Sequence, residues 1–292
     1  MTEASRRQPR TSTFSIVAAD PARRACGVAV QSKFLAIGAV SAWAEPGVGA
    51  IATQALINVE YGPGGLRALR SGGSPEQVVG ELTAGDPGRA GRQLGVVDAD
   101  GRSATYTGAE CAEWAGGRAG PACAVQGNLL VSGATVDAVW DSFHATAEES
   151  LAERLLAALR AGQAAGGDRR GEQSAALIVV EPGGGYGGGG LVVDLRVDDH
   201  EAPIEELTRL HRLHRRYFGS TPAEEWIPVS AELATEIGDR LDALGYPGDD
   251  LGACLMAWAA FENLEERVDG DERIDPVVLE ELRRAAGDGR EA

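Results

Sequence analysis

Read from the N-terminus, the chain first turns apolar at Thr13. From there to Ala19 it is rich in β-forming residues in loose alternation, which predicts a strand. Asp20-Pro21 marks a turn, and residues 27–33 predict a second strand that forms a hairpin with the first. Residues 38–43 and 48–54 predict two further strands, broken at Pro46-Gly47. Helical segments follow at 64–70 and 75–84. In the second, Ser74 is placed to cap and Pro75 takes the first helical position. Strands at 93–98 and 102–107 flank Asp98-Ala99-Asp100-Gly101, a hairpin signal. Residues 135–162 read as one helix, with Leu151, Leu155, Leu156 and Leu159 at helical spacing. The segments 175–180 and 191–197 are apolar enough to be strands buried on both faces, joined by the glycine run 183–190. Residues 203–218 predict a helix stopped by Gly219.

Most strands are joined as hairpins rather than by single helical crossovers. That pattern points to antiparallel sheets with helices layered outside, not to a doubly wound nucleotide-binding fold. After Gly219 the texture becomes wholly helical. Ser230 caps a segment carrying Leu233, Ile237, Leu241 and Leu244 and stopped by Gly245. A second segment carries Leu251, Leu255, Trp258, Phe261 and Leu264, and a third opens at Asp275-Pro276 with Leu279 and Leu282. The expected organisation is α+β. Residues 1–12 form a disordered extension or a removed segment, 13–219 a domain of two stacked antiparallel sheets between helix layers, and 223–287 a small all-α domain.

The length of 292 residues suits one large and one small domain. The formal net charge of −17 argues against nucleic acid and against an anionic membrane as partners, since both select clustered positive charge. Cys26, Cys111, Cys123 and Cys254 are widely spaced, which fits neither a zinc ribbon nor a disulfide scaffold. No apolar run approaches the roughly 20 residues of a membrane span, and residues 14–19 are too short for a signal-peptide core. A cytoplasmic protein is the expectation.

The chain carries no G-x-S-x-G elbow, no H-E-x-x-H and no phosphate-binding glycine loop after a strand. None of its four histidines falls in the β-rich first half. Hydrolytic chemistry without histidine needs another base. A terminal threonine can use its own α-amino group, whose pKa near 8 suits neutral pH. Thr13 stands where such a nucleophile must stand, at the start of the first core strand. Two readings remain open: an ordinary strand-opening threonine, or a nucleophile exposed by loss of Met1 to Ser12. Ser15 and Ser32 are the alternatives that need no processing. Lys33 ends the second strand in a chain whose basic residues are otherwise dominated by arginine, and a compact ammonium suits the support of an alkoxide or a lowered amine pKa. Gln54, Asn58, Asn128 (in Gln126-Gly127-Asn128) and Gln173 are amides at strand ends, suited to clamping an amide substrate or to an oxyanion hole. Asp168, between glycines and two arginines, is placed to orient a base or to pair on the surface. His211 and His214 lack a third ligand, and Asp269-Gly270-Asp271 lacks the glycine and glutamate of a calcium loop. No metal or cofactor is expected.

The blocks TFSIVAADP (13–21), GVAVQSKFLAIGAV (27–40), PGVGAIATQALINVEYGPGGL (46–66), DPGRAGRQLGVVDADG (86–101), AVQGNLL (124–130), LLAALRAGQAAGGDRRGEQSAALIVV (155–180) and LHRRYFG (213–219) resemble the domain-of-unknown-function 1028 family. That family is assigned to the N-terminal-nucleophile hydrolase superfamily. The resemblance implies a four-layer αββα sandwich. Many members begin Met-Thr-Phe-Ser-Ile, so that loss of the initiator methionine exposes the residue matching Thr13; here twelve residues precede it. Lys33, Gln54, Asn58, Asn128, Asp168 and Gln173 fall in matching blocks, while Val59-Glu60 departs from the usual small residues. The resemblance implies no known substrate; the candidate residues themselves suit an amidohydrolase acting on a small amide, ureido or peptide-like bond of a small-molecule substrate. A non-catalytic ligand-binding or cell-wall-fragment-binding protein is the alternative. The tail, with Leu233, Leu241, Gly245-Tyr246, Leu251, Trp258, Phe261, Asn263-Leu264 and Gly270, resembles a peptidoglycan-binding domain, which implies a peptidoglycan fragment as partner. Family habit and free sheet edges make a homo-oligomer the expected state.

Overall fold

The structure is a computed structural model that describes residues 13–288, so the expectation for Met1 to Ser12 falls outside the described residues. Strands β1 (Thr13–Asp20) and β2 (Ala25–Ser32) form the predicted hairpin. Together with β7 (Gly116–Gly120), β8 (Cys123–Asn128), β9 (Ser174–Val180) and β10 (Leu191–Val197) they build a six-stranded antiparallel sheet in the order β10-β9-β2-β1-β8-β7. A second antiparallel sheet has the order β3-β4-β5-β6, from β3 (Ala42–Glu45), β4 (Gly49–Ala55), β5 (Arg92–Asp98) and β6 (Ser103–Thr107).

Alternation along the strands sorts the side chains into layers. On β1, Phe14, Ile16 and Ala18 point outward against α4 (Ala134–Ala145) and α5 (Leu151–Ala164), meeting Val139, Phe143, Leu155 and Leu159. Val17 and Ala19 point inward and meet Val28, Val30, Ala50, Ala52 and Val97 between the sheets. The outer face of the second sheet buries Ile51, Leu94 and Val96 under α2 (Tyr61–Arg70) and α3 (Pro75–Ala84), through Leu66, Leu69 and Val78. Gly65 permits this contact, since a Cβ there would lie 2.3 Å from the Ile51 side chain. Helix α3 starts as read: Ser74 accepts from the Gln77 N–H, Gln77 returns the bond, and Pro75 follows the cap.

Three expectations need correction, and one pair of strands was not anticipated. Residues 38–41 form a short helical turn, α1 (Gly38–Ser41), and only from Ala42 does the chain extend as β3. The helix expected over 135–162 is two helices, because Ser150 caps a new start with Glu153 as its capping-box partner. The glycine-rich strand β7 had no propensity signal, and pairing with β8 forms it. Strand β10 is an edge strand rather than one buried on both faces, and Leu191 is 49 % exposed.

Helix α6 (Pro203–Phe218) ends at the expected glycine, and the chain divides into two compact units within it, between His211 and Arg212. The second unit packs α7 (Ala231–Ala243), α8 (Leu251–Phe261) and α9 (Pro276–Arg283) around Ile237, Leu241, Leu255, Trp258, Val278 and Leu282. The two-residue ribbon β11 (Ile227–Pro228) and β12 (Arg273–Ile274) completes it. Arg267 is buried there and donates to Asp275 at 2.7 Å, to Thr221 at 3.0 Å and to the Arg215 carbonyl at 2.6 Å. Asp275 also caps α9 through the Val277 N–H at 2.8 Å. Among the described residues no helix is long and apolar enough to cross a membrane.

Candidate functional site

The space between the sheets is apolar along most of its length and polar at one end. Each participating strand switches at the same level. On β1, Thr13 and Ser15 precede Val17 and Ala19; on β2, Ser32 follows Val28 and Val30; on β8, Gln126 and Asn128 follow Ala124. On the opposing sheet Gln54, next to last in β4, follows Ala50 and Ala52, and Gln93, second in β5, precedes Val97. Thr13, Ser15, Ser32, Gln54, Gln93, Gln126 and Asn128 are all buried.

Unpartnered polar groups at such depth each cost about 1–3 kcal/mol, so their hydrogen bonds define the arrangement. Ser15 Oγ donates to Gln54 Oε1 at 2.6 Å and accepts from Gln126 Nε2 at 2.7 Å. Gln54 Nε2 donates to Gln93 Oε1 at 2.8 Å and to the Thr13 carbonyl at 3.1 Å. Asn128 Nδ2 donates to the same Gln93 Oε1 at 2.9 Å. Gln93 Nε2 in turn donates to the Gly127 carbonyl at 2.8 Å, Thr107 Oγ1 at 2.9 Å and the Gly116 carbonyl at 3.2 Å. The amides thus stitch one sheet to the other, and Gln93 is the knot. Gly95 makes room, since a Cβ there would stand 2.2 Å from Gln126 Oε1.

Thr13 lies on an interior strand, opposite Ser32 on one side and Asn128 on the other. Its Oγ1 donates to Ser32 Oγ at 3.1 Å. Among the described residues, the groups bonded around it are neutral amides and hydroxyls, none basic enough at neutral pH to take a proton from an alcohol. If the chain were opened before Thr13, the α-amine would arise within its own residue's reach of Oγ1 and supply the missing base.

The other sequence-derived candidates lie around this layer rather than in it, apart from Gln54 and Asn128. Lys33 is exposed, with Nζ donating to the Glu172 carbonyl at 2.9 Å, so Ser32 is the β2 side chain that stands beside Thr13. Asp168 is buried and accepts the Lys33 N–H at 2.8 Å and the Arg170 N–H at 2.8 Å, which fixes the end of β2 to the loop before β9. Gln173 reaches Asp199 at 3.0 Å. Asn58 belongs to a separate cluster in which Asp86 accepts from Arg92 at 2.9 Å, Tyr61 at 2.8 Å, Asn58 at 3.3 Å and the Gly88 N–H at 2.7 Å. Burial works against the charged form of Asp86, but Arg92 and the three other donors outweigh it and hold the carboxyl down at about 2. Tyr61 is pushed up from its ordinary value by burial and by Asp86.

Gln93 is the residue that motif reasoning passes over, while Gln126 is visible only as part of Gln126-Gly127-Asn128. The signal for Gln93 is a glutamine at an inward position of a strand whose other inward residues are small or apolar. Beside this network, between edge strands β6 and β7, opens a cavity of about 480 Å³ whose lining includes Thr105, Thr107, Cys111, Glu113, Gly116 and Gly117.

Residues 13–207 match a family model described as "Family of unknown function (DUF1028)", and residues 218–282 match one described as "Putative peptidoglycan binding domain". Among solved structures, the crystal structure of protein SPO2555 from Silicibacter pomeroyi, of the same first family, is similar at a TM-score of 0.64 and 32% identity. The match covers 70% of this chain and 89% of that one. No curated protein matches the chain.

Proposed function

The chain belongs to the DUF1028 family, a family of unknown function, and from the polar layer that surrounds Thr13 we propose that it is an N-terminal-nucleophile-type amidohydrolase acting on a small amide, ureido or peptide-like bond. The observation that carries the reading is the position of Thr13: first described residue of an interior strand, side chain between two stacked sheets, within a network whose described groups are neutral, so that its own α-amine is the base at hand.

In this reading the α-amine takes the Oγ1 proton as Oγ1 attacks the carbonyl carbon. The amide nitrogen leaves with a proton, and water then hydrolyses the ester formed on Thr13, regenerating the hydroxyl. Asn128, one strand away, supplies the amide N–H for the developing oxyanion once it turns from Gln93. Gln54 holds the Thr13 carbonyl and so fixes the nucleophile's backbone. Lys33 contributes positive potential at the same end of β2, and Asp168 is a positioning residue through the Lys33 N–H. Asn58 and Gln173 stand further out, where the distal parts of a substrate would lie. The tail brings a peptidoglycan fragment as partner, and the free edges of the two sheets suit a homo-oligomer.

The test is the mass of protein carrying no N-terminal tag, combined with turnover of small amide and ureido substrates. A mature chain starting at Thr13 that loses activity in Thr13→Ala supports the reading. A fully active chain that retains Met1 to Ser12, or an active Thr13→Ala variant, overturns it. The complete burial of Thr13 favours a second reading, a non-catalytic ligand-binding protein on the same scaffold. It requires ligand binding by the intact chain that Thr13→Ala leaves unchanged.

A further inference from the structure

We propose that the cleft between β6 and β7 binds a small ligand bearing a protonated amine close to a carbonyl, the chemistry of an amino-acid amide or of the N-terminus of a short peptide. The cavity of about 480 Å³ lies within the range of small-molecule sites. It opens where two sheets end together: β6 is the last strand of one, β7 of the other, and each has a strand partner on one side only. Gly117 sets the width of this mouth. A Cβ there would stand 2.8 Å from both Thr105 Oγ1 and the Val125 carbonyl, so β7 approaches β6 as closely as it does only as glycine.

Among the described residues the lining has one acceptor of positive charge, Glu113, and a hydroxyl donor, Thr107. Glu113 is its one charged side chain; it is exposed and makes no ion pair among the described residues. Thr107 Oγ1 accepts from Gln93 Nε2 at 2.9 Å, so its own proton points away from that bond and can be given to a carbonyl. Thr105, in contrast, already donates to the Leu94 carbonyl at 3.0 Å. Among the described residues no arginine or lysine lines the cleft, and the chain's net charge of −17 favours approach of a cation over an anion. An occupant would touch the amide network from outside, because Thr107 and the Gly116 carbonyl are both bonded to Gln93. The register Phe14–Gly127–Gly116 places the cleft wall two strands, roughly 10 Å, from the strand that carries Thr13. Binding here requires neither an open N-terminus nor turnover, so it goes beyond the proposed hydrolysis and stands without it.

Calorimetric or NMR titration of the full chain with alanyl-alanine and with N-acetyl-alanyl-alanine tests the proposal. The expected result is saturable binding of the free amine and at least tenfold weaker binding of the acetylated form. Glu113→Gln should weaken the free amine about tenfold, the factor that follows from losing a charge-assisted bond, and leave the acetylated form unchanged. Thr107→Val should weaken both forms. Thr13→Ala should bind as the parent does, which separates this proposal from the catalytic one. No saturable binding of alanyl-alanine, equal affinity for the two forms, or an unaffected Glu113→Gln variant overturns it.

Discussion

The two ends of the inter-sheet layer are built from the same strands and solve opposite problems. At one end Val17, Val28, Val30, Ala52 and Val97 fill the gap, and burial of apolar surface holds the sheets together. At the other, Ser15, Gln54, Gln93, Gln126 and Asn128 fill the same gap with groups that gain little from being buried and lose much if any partner is missing. The apolar end tolerates small changes of shape. The polar end is cooperative: each amide is usable only while its neighbours hold their orientations. A protein needing stability alone would have no reason to prefer the second solution, and its presence beside Thr13 is what gives the end of β1 its functional reading.

The comparison can be broken at its knot. Gln93→Leu removes the acceptor that the Gln54 and Asn128 amides share and the donor to the Gly127 carbonyl, and should cost roughly 4 kcal/mol in urea unfolding. Val97→Ala on the same strand should cost about 2 kcal/mol, and an equal loss at both positions would refute the contrast. Adding Gln54→Leu to Gln93→Leu should cost at least about 1 kcal/mol less than the sum of the single changes, since the bond between the two amides is lost only once. Simple additivity would show that the network is not a unit. Asp86 offers a charged reference outside the layer. Its carboxyl is held below the ordinary 3.8, at about 2, so the stability it contributes is complete above about pH 4 and is lost as pH falls towards 2. Asp86→Asn should lower stability at pH 7 by about 2 kcal/mol and flatten the unfolding curve between pH 4 and 2. The smallest effect belongs to an exposed capping box: Ser150→Ala should cost about 1 kcal/mol without touching either end of the layer.

How far the sequence reveals this arrangement depends on what each residue type signals locally. The β1–β2 hairpin, the Ser74 cap and helix α6 were legible, because alternation, capping residues and a terminal glycine act over a few positions. The pair β7–β8 was not, since Gly116-Gly117-Arg118-Ala119-Gly120 carries no strand preference and becomes a strand only by pairing with β8. Of the polar layer, Thr13, Gln54 and Asn128 stood out as polar residues at strand ends. Gln93 did not, because its importance lies in facing two other strands and no spacing along the chain encodes that. Lys33 illustrates the reverse: it follows the right strand, but a change of one position decides which face a side chain takes, and Ser32 holds the place beside Thr13.

The interior position of β1 carries an entropic consequence. A strand bonded on both sides keeps its place when the chain is cut at its beginning, because the ladders to β2 and β8 hold each residue independently of what came before. An amine created there would be born already immobilised next to its hydroxyl, with the loss of translational and rotational freedom met at folding rather than at the moment of reaction. Effective concentrations far above any attainable in solution then arise from sheet topology alone.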